Sequence, residues 1–74
     1  MNSNVKVGSP LTPREEEVVR EICKGKTNIE VAETLGVIEK TVKFHLTNIF
    51  KKMAVTSRSQ LILKSLREGR EKCS

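Results

Sequence analysis

The chain of 74 residues has no tryptophan, no tyrosine and only two phenylalanines. Only 36% of its residues are hydrophobic. Any core is therefore small and aliphatic, which favours helices over a sheet built from β-branched and aromatic side chains. A chain of this length forms one domain and buries only about 60% of the surface that its unfolded form exposes. It has little room for a walled substrate pocket, so we predict that it is not an enzyme.

Metal-binding and catalytic side chains are equally scarce. Cys23 and Cys73 lie 50 positions apart and His45 is the only histidine, which fits neither a zinc site nor a disulfide framework. A single histidine with no acid, serine or second ligand near it in the sequence does not make a catalytic site. We therefore predict no catalytic residue, metal, cofactor or small-molecule ligand for this chain, and expect His45 to pack beside the helices.

Long hydrophobic runs are also absent. No segment approaches the roughly 18 apolar residues of a membrane-spanning helix, and the N-terminus does not resemble a signal peptide. These features predict a cytoplasmic chain with both thiols reduced and no membrane span.

Charge is present, and it is unevenly distributed. The chain carries 14 lysines and arginines against nine acids, for a formal net charge of +5. Residues 14–39 contain seven acids and four bases, whereas residues 40–67 contain seven bases and no acid. A basic half beside an acidic half predicts binding to a polyanion, either nucleic acid or an anionic membrane surface. An ordinary solvated helix face is the alternative.

Apolar periodicity and capping signals predict an all-α fold of four helices. Three sequences have the Ser/Thr-x-x-Glu/Gln form of a capping box, namely Thr12 to Glu15, Thr27 to Glu30 and Ser57 to Gln60. Gly25 and Gly36 follow the first two apolar patterns as left-handed stops. The predicted helices span residues 13–24, 28–35, 39–53 and 58–68, within a domain of residues 11–69 that lies between a flexible arm at 1–10 and a frayed tail at 70–74.

A helix-turn-helix is predicted between Asn28 and Met53. Ala32 is small enough to let two helices cross closely, Gly36 allows the positive φ of the turn, and Val42 fills the crossing from the second helix. The outer face of that second helix is basic. An αα-corner without a ligand is the alternative, but it does not explain the sign of the charge.

Several segments together resemble the LuxR/GerE (NarL/FixJ-type) DNA-binding domain of bacterial transcription regulators. The resemblance covers about residues 11–68 and implies a four-helix domain whose third helix, residues 39–53, is a recognition helix in the major groove. It also implies a homodimer, formed through the fourth helix, on two-fold-related DNA half-sites. The matching segments are Leu11-Thr12-Pro13-Arg14-Glu15, Glu17-Val18, Gly25-Lys26-Thr27-Asn28, Val31-Ala32, Leu35-Gly36-Val37, Lys40-Thr41-Val42-Lys43-Phe44-His45, Lys52-Met53 and Ser57-Arg58.

Two positions depart from the family pattern. Ile38 stands where the family usually has serine, so the third helix should lack its cap, a loss of about 1 kcal/mol. Ala54 stands where the family usually has glycine, and it would be strained if its backbone is left-handed. Glu15 and Lys52 occupy strong family positions and are expected to pair, the alternative being two solvated charges.

Candidate DNA contacts follow from the outward face of the third helix and from the resemblance. Base contacts are predicted for Lys43, Phe44 and Thr47, with a peripheral core contact as the alternative for Phe44. Phosphate contacts are predicted for Lys26, Thr27, Asn28, Lys40, Thr41 and Lys51.

The fourth helix has more apolar side chains than one face can bury, and the excess predicts a dimer interface at Leu61 and Leu63. A broad core contact is the alternative. The predicted function is sequence-specific binding of double-stranded DNA by a homodimeric transcription regulator, with RNA polymerase as a further candidate partner. A stand-alone regulator and the output domain of a response regulator both fit the chain. A protein-interaction module of the transcription machinery, similar to sigma region 4 or an adaptor, is the alternative function.

Overall fold

The computed structural model describes residues 7–69, which form four helices and, within that range, no strand. The all-α prediction is confirmed, and the bounds of the second and third helices match it. The first and fourth helices each end one residue earlier than predicted. The helices are α1 (Pro13–Cys23), α2 (Asn28–Leu35), α3 (Glu39–Met53) and α4 (Arg58–Arg67).

Local side chains fix the starts of α1 and α2. Thr12 Oγ1 accepts from the N–H of Glu15 at 3.1 Å, and Glu15 Oε1 accepts from the N–H of Thr12 at 2.9 Å. Thr27 and Glu30 make the same reciprocal pair at 3.2 and 2.9 Å. Both predicted capping boxes are confirmed, and they satisfy backbone donors that a helix start otherwise leaves without partners.

The start of α4 differs from the prediction. Ser57 Oγ accepts from the N–H of Gln60 at 3.2 Å, as expected for a cap. Gln60 Oε1, however, accepts from the N–H of Thr56 at 2.8 Å. The predicted third capping box is therefore wrong as a reciprocal pair, because the glutamine side chain reaches one residue further back.

The two ends of α3 lack the residues that usually favour a helix boundary. Ile38 precedes the helix without a side-chain cap, and Ala54 follows it at φ 58°, in the left-handed region. The N–H of Val55 closes the last turn by donating to the carbonyl of Phe50 at 3.0 Å, and two distant donors satisfy further carbonyls at this end. Lys64 Nζ donates to the carbonyl of Met53 at 2.6 Å, and the N–H of Gly8 donates to the carbonyl of Lys52 at 2.8 Å.

The core lies where α1 packs against the other three helices and α2 packs against α3. In α2, Val31 is fully buried, whereas the side chain of Ile29 is exposed. The buried hydrophobic residues are Val18, Val19, Ile22, Val31, Ala32, Val42, Leu46, Ile49, Met53, Val55 and Leu61.

The structure contradicts one predicted interface residue. Leu61 has 0% of its surface exposed, because it faces the core, and it offers no surface to a second copy. Its assignment to a dimer interface is wrong, whereas Leu63 is 52% exposed. The predicted arm and tail fall mainly on residues 1–6 and 70–74, which lie outside the described residues. Of the arm's described part, Gly8 is hydrogen-bonded to α3 rather than free.

Candidate nucleic-acid interface

The two helices of the predicted helix-turn-helix meet as the sequence indicated. Ala32 and Val42 are both buried in the common core, and α2 packs against α3. Gly36 ends α2 at φ 72°, which allows the chain to reverse direction, and the N–H of Val37 donates to the carbonyl of Ala32 at 2.9 Å. Gly36 therefore lies at the turn as predicted, and Ala32 and Val42 lie in the core.

The three predicted base contacts lie on the exposed side of α3. Phe44 is 46% exposed and does not belong to the core, which removes the alternative of a peripheral core contact. Its ring lies 6.0 Å from the ring of half-buried His45 in a tilted arrangement. Lys43 is exposed, and its ammonium lies 3.8 Å from the carboxylate of Glu39 one turn earlier.

Thr47 also lies on this exposed side, but its hydroxyl proton already forms a hydrogen bond within α3. Thr47 Oγ1 donates to the carbonyl of Lys43 at 3.1 Å. The side chain still offers an acceptor oxygen and a methyl group, since a hydroxyl carries two lone pairs. Thr47 can therefore accept a hydrogen bond from a base or touch a thymine methyl group.

Lys40 and Lys51 complete the basic face of α3. Both side chains are exposed, and neither forms an ion pair within residues 7–69. They lie eleven positions apart, which returns to nearly the same side of a helix with 3.6 residues per turn. The exposed basic face therefore consists of Lys40, Lys43 and Lys51.

The other bases of the second half mostly have internal roles. Lys52, Arg58 and Lys64 each donate to an oxygen of the same chain at 2.6 to 2.9 Å. The basic surface available to a polyanion is therefore smaller than the seven bases of residues 40–67 suggested. The positive charge available to a polyanion is concentrated on α3, with Arg67 exposed at the end of α4.

A buried ion pair joins α1 to α3. Lys52 Nζ lies 2.7 Å from Glu15 Oε1, and the two side chains are only 9% and 5% exposed. The predicted pairing is confirmed, and the alternative of two solvated charges is wrong. Burial alone would raise the pKa of Glu15, but the hydrogen bond from Lys52, the N–H of Thr12 and the nearby His45 bring that pKa below its ordinary value.

A second ion pair occupies Lys26, which was predicted to contact phosphate. Lys26 Nζ lies 2.7 Å from Glu21 Oε1 and donates to Thr34 Oγ1 at 2.9 Å. The hydrogen bond from Lys26 outweighs burial, and together with Lys24 it lowers the pKa of Glu21 below its ordinary value. Lys26 therefore holds the turn between α1 and α2, and much of its charge is already balanced within the chain.

The remaining predicted phosphate contacts lie around two helix starts. Thr27 is exposed, and its oxygen accepts from the N–H of Glu30. Asn28 is half-buried at the first position of α2, where its Oδ1 accepts from Arg58 Nη1 at 2.9 Å. Thr41 is half-buried in the first turn of α3. All three lie near helix N-termini, whose partial positive charge favours anions.

The described residues contain neither a membrane-spanning helix nor a metal-binding cluster. None of the helices in this part of the chain is long and apolar enough to cross a membrane. Between residues 7 and 69, no group of three or more His, Cys, Asp or Glu side chains could hold a metal ion.

Comparison with known families decides the identity of this domain. The model of the GerE family, described as bacterial regulatory proteins of the luxR family, matches residues 9–65. The chain belongs to the luxR family. The solved structure of the transcription factor GerE superposes on it with a TM-score of 0.78 at 36% identity, covering 86% of this chain and 96% of that one.

Similar regulators confirm the membership of the luxR family. The transcriptional regulatory protein MctR of Rhizobium johnstonii is 41% identical over 70 residues, which is 93% of this chain and 33% of that protein. The transcriptional activator protein LuxR of Aliivibrio fischeri is 39% identical over 71 residues, which is 96% of this chain and 28% of that protein. The chain thus spans about a third of the length of these curated relatives. It is a luxR-family helix-turn-helix DNA-binding domain of a transcription regulator, and it is not an enzyme.

Arg58 is the main residue of the luxR-family domain whose role the sequence did not reveal. Its guanidinium donates to Asn28 Oδ1 and, through Nη2, to the carbonyl of Lys26 at 2.7 Å. The partners lie 30 and 32 positions away in the chain, so no local spacing could indicate them. The resemblance marked Ser57-Arg58 as a matching segment but assigned no contact to it.

Proposed function

We propose that the chain binds a specific double-stranded DNA sequence as a homodimer, with α3 in the major groove of each half-site. The single observation that carries this proposal is the exposed face of α3, where three lysines flank an exposed phenylalanine and a threonine. A helix with such a face can bind phosphates through its ends and read base edges in between. The setting is the bacterial cytoplasm, where the chromosome lies.

Each residue of this face has a distinct proposed role. Lys43 donates to guanine O6 or N7, and Phe44 contacts a thymine methyl group. Thr47 accepts from a base. Lys40 and Lys51 bind phosphates near the two ends of α3, and together with Thr27, Asn28 and Thr41 they position the helix without reading sequence. Lys26 contributes less, because Glu21 already balances its charge.

The dimer is proposed to form through the outer surface of α4. Leu63 and Leu66 are 52% and 55% exposed on this helix, and Leu63 lines an open groove with Val55, Gln60 and Arg67. A two-fold contact between these surfaces would bury both leucines and place two copies of α3 on a palindrome. Leu63→Glu should then weaken binding to a full palindrome while leaving binding to a single half-site unchanged.

Selection of duplexes from a random-sequence library by the isolated chain, followed by sequencing, tests the function. We expect a palindrome with one fixed half-site spacing. The affinity for it should fall with salt at a slope of about −2 in log–log form per protomer, since Lys40 and Lys51 each neutralise a phosphate and release its counterion. A flat salt dependence, or no enriched sequence unless RNA polymerase is added, would instead favour the protein-interaction module.

Two matched variants separate reading from positioning. Lys43→Ala should cost about 1 to 3 kcal/mol on the selected duplex and relax preference at one base pair, whereas Lys51→Ala should weaken selected and random duplexes alike. Arg20→Ala, which removes an exposed base from the acidic half, is the control and should change neither affinity. Equal losses on both duplexes for both lysine variants would refute this division of roles.

A further inference from the structure

Arg58 begins α4, yet its guanidinium group reaches the start of α2. Nη1 donates to Asn28 Oδ1 at 2.9 Å, and Nη2 donates to the carbonyl of Lys26 at 2.7 Å. Two hydrogen bonds from one planar group fix its orientation as well as its position. Arg58 is half-buried, so these bonds are partly shielded from water.

These bonds determine which way the carboxamide of Asn28 is turned. Arginine has hydrogen-bond donors and no acceptor, so the oxygen of Asn28 must be directed toward it. The amide nitrogen of Asn28, Nδ2, is then directed away from Arg58 with its two donor hydrogens. Asn28 is the first residue of α2, so its amide group lies at the positive end of the helix.

Arg58 also joins two parts of the fold that have different roles. It belongs to α4, which packs against α1 and carries the exposed leucines. Its two partners belong to the turn before α2 and to the first residue of α2. A shift of α4 along α1 would therefore change the hydrogen bonds that orient Asn28.

We propose that Arg58 is a positioning residue for DNA binding, which presents the Nδ2 group of Asn28 to one backbone phosphate in each half-site. Through the same bonds, Arg58 ties that phosphate contact to the position of α4. The inference rests on the proposed function, because it assumes that the start of α2 lies against the DNA backbone.

Neutral phosphates in the duplex test this role at one contact at a time. In the duplex selected by the wild-type chain, each phosphate is replaced singly by an uncharged methylphosphonate. We expect one position per half-site at which the wild type loses roughly tenfold in affinity, since a hydrogen bond to a charged group is lost. Asn28→Ala and Arg58→Lys should both be insensitive at that position and keep the wild-type sensitivity at the phosphates bound by Lys51.

This pattern separates positioning from a general effect on folding. A merely structural role for Arg58 would weaken binding of Arg58→Lys to every duplex and leave the sensitivity to each phosphate as in the wild type. That outcome overturns the inference. If the wild type is sensitive at no phosphate, the proposed function itself fails, whereas sensitivity only at positions independent of Asn28 refutes this inference alone.

Asn28→Asp provides a second test that does not alter Arg58. The aspartate keeps an oxygen acceptor for the guanidinium group but has no donor for a phosphate. We expect its thermal unfolding midpoint to equal or exceed that of the wild type, while its affinity for the selected duplex falls by at least about tenfold. Binding equal to that of the wild type would overturn the proposal.

Discussion

The two helices of the helix-turn-helix are held in different ways. Local residues define α2, which has the reciprocal Thr27–Glu30 cap at its start and Gly36 at its end. By contrast, α3 has no side-chain cap at Ile38 and a non-glycine residue, Ala54, at a positive φ. The helix that carries the proposed DNA-reading face therefore has less favourable residues at its ends than α2, and its position depends more on contacts with the rest of the fold.

The buried ion pair is one of these distant contacts, and removing one partner should have the largest effect because it leaves the other charge buried and unpaired. Lys52→Met leaves the Glu15 carboxylate buried without its cation and should cost about 3 to 5 kcal/mol. Because a domain this small has a net stability of only about 3 to 5 kcal/mol, the variant should be largely unfolded. Urea denaturation followed by circular dichroism measures the loss.

The double variant Glu15→Gln with Lys52→Met is the control for this experiment. The glutamine that replaces Glu15 can still complete the Thr12 cap, and no buried charge remains. Much of the lost stability should therefore return. A double variant as unstable as Lys52→Met alone would show that the unpaired carboxylate of Glu15 is not the cause of the loss.

Low pH should weaken the ion pair between Glu15 and Lys52. The pKa values of Glu15 and Glu21 are both lowered in the folded chain from an ordinary value of 4.5. A carboxylate with a depressed pKa stabilises the fold above its ordinary pKa, and this contribution is lost as the pH falls through the folded value. Urea midpoints should decline below pH 4.5, and less steeply for the Glu15→Gln, Lys52→Met double variant. Identical slopes for the two proteins would contradict the assignment to Glu15.

Substitutions at the N-terminal cap positions of α2 and α3 directly test the contrast between these two helix starts. Thr27→Ala removes a local cap from α2 and should cost about 1 kcal/mol, whereas Ile38→Ser supplies one to α3 and should add about 1 kcal/mol. Little burial is lost in the second change, because Ile38 is 66% exposed. Thermal or urea unfolding measures both, and a destabilised Ile38→Ser variant would mean that the isoleucine contributes something other than an absent cap.

Ala54→Gly should have the smallest effect. The left-handed conformation costs an L-residue about 1 to 2 kcal/mol, and glycine's greater freedom in the unfolded chain offsets part of the relief. We expect a net gain of about 0.5 kcal/mol by urea unfolding. Ala32→Gly, at a buried helical position, is the matched control and should be destabilising. A loss of stability at both positions would argue that Ala54 is not strained.

Prediction from the sequence succeeded for features set by local residues and failed for features set by distant contacts. Caps, glycine stops and apolar periodicity act over a few residues, and they placed four helices to within one residue of their observed ends. These signals could not predict which side of α4 faces the core, because its apolar residues cover a wide arc. They are Leu61, Ile62, Leu63 and Leu66. Only packing against α1 decides that Leu61 is buried and that Leu63 is not.

Contacts over long sequence separations were the other limit on prediction. The Glu15–Lys52 pair, 37 positions apart, came from the family resemblance rather than from spacing. No local sequence feature separates the two groups of bases. Lys52, Arg58 and Lys64 donate hydrogen bonds to oxygens of the same chain, whereas Lys40, Lys43 and Lys51 remain exposed on α3. The net charge therefore pointed to the right partner but overstated the surface available to it.

The eleven-residue separation of Lys40 and Lys51 also sets a length scale. At about 1.5 Å of rise per residue, the two side chains leave α3 about 16 Å apart along its axis. Successive base pairs are about 3.4 Å apart, so this distance corresponds to about five steps of the double helix. In the proposed complex, one copy of α3 can thus contact only about five base pairs. Recognition of a longer operator would then require a second copy or a sequence-dependent shape of the DNA.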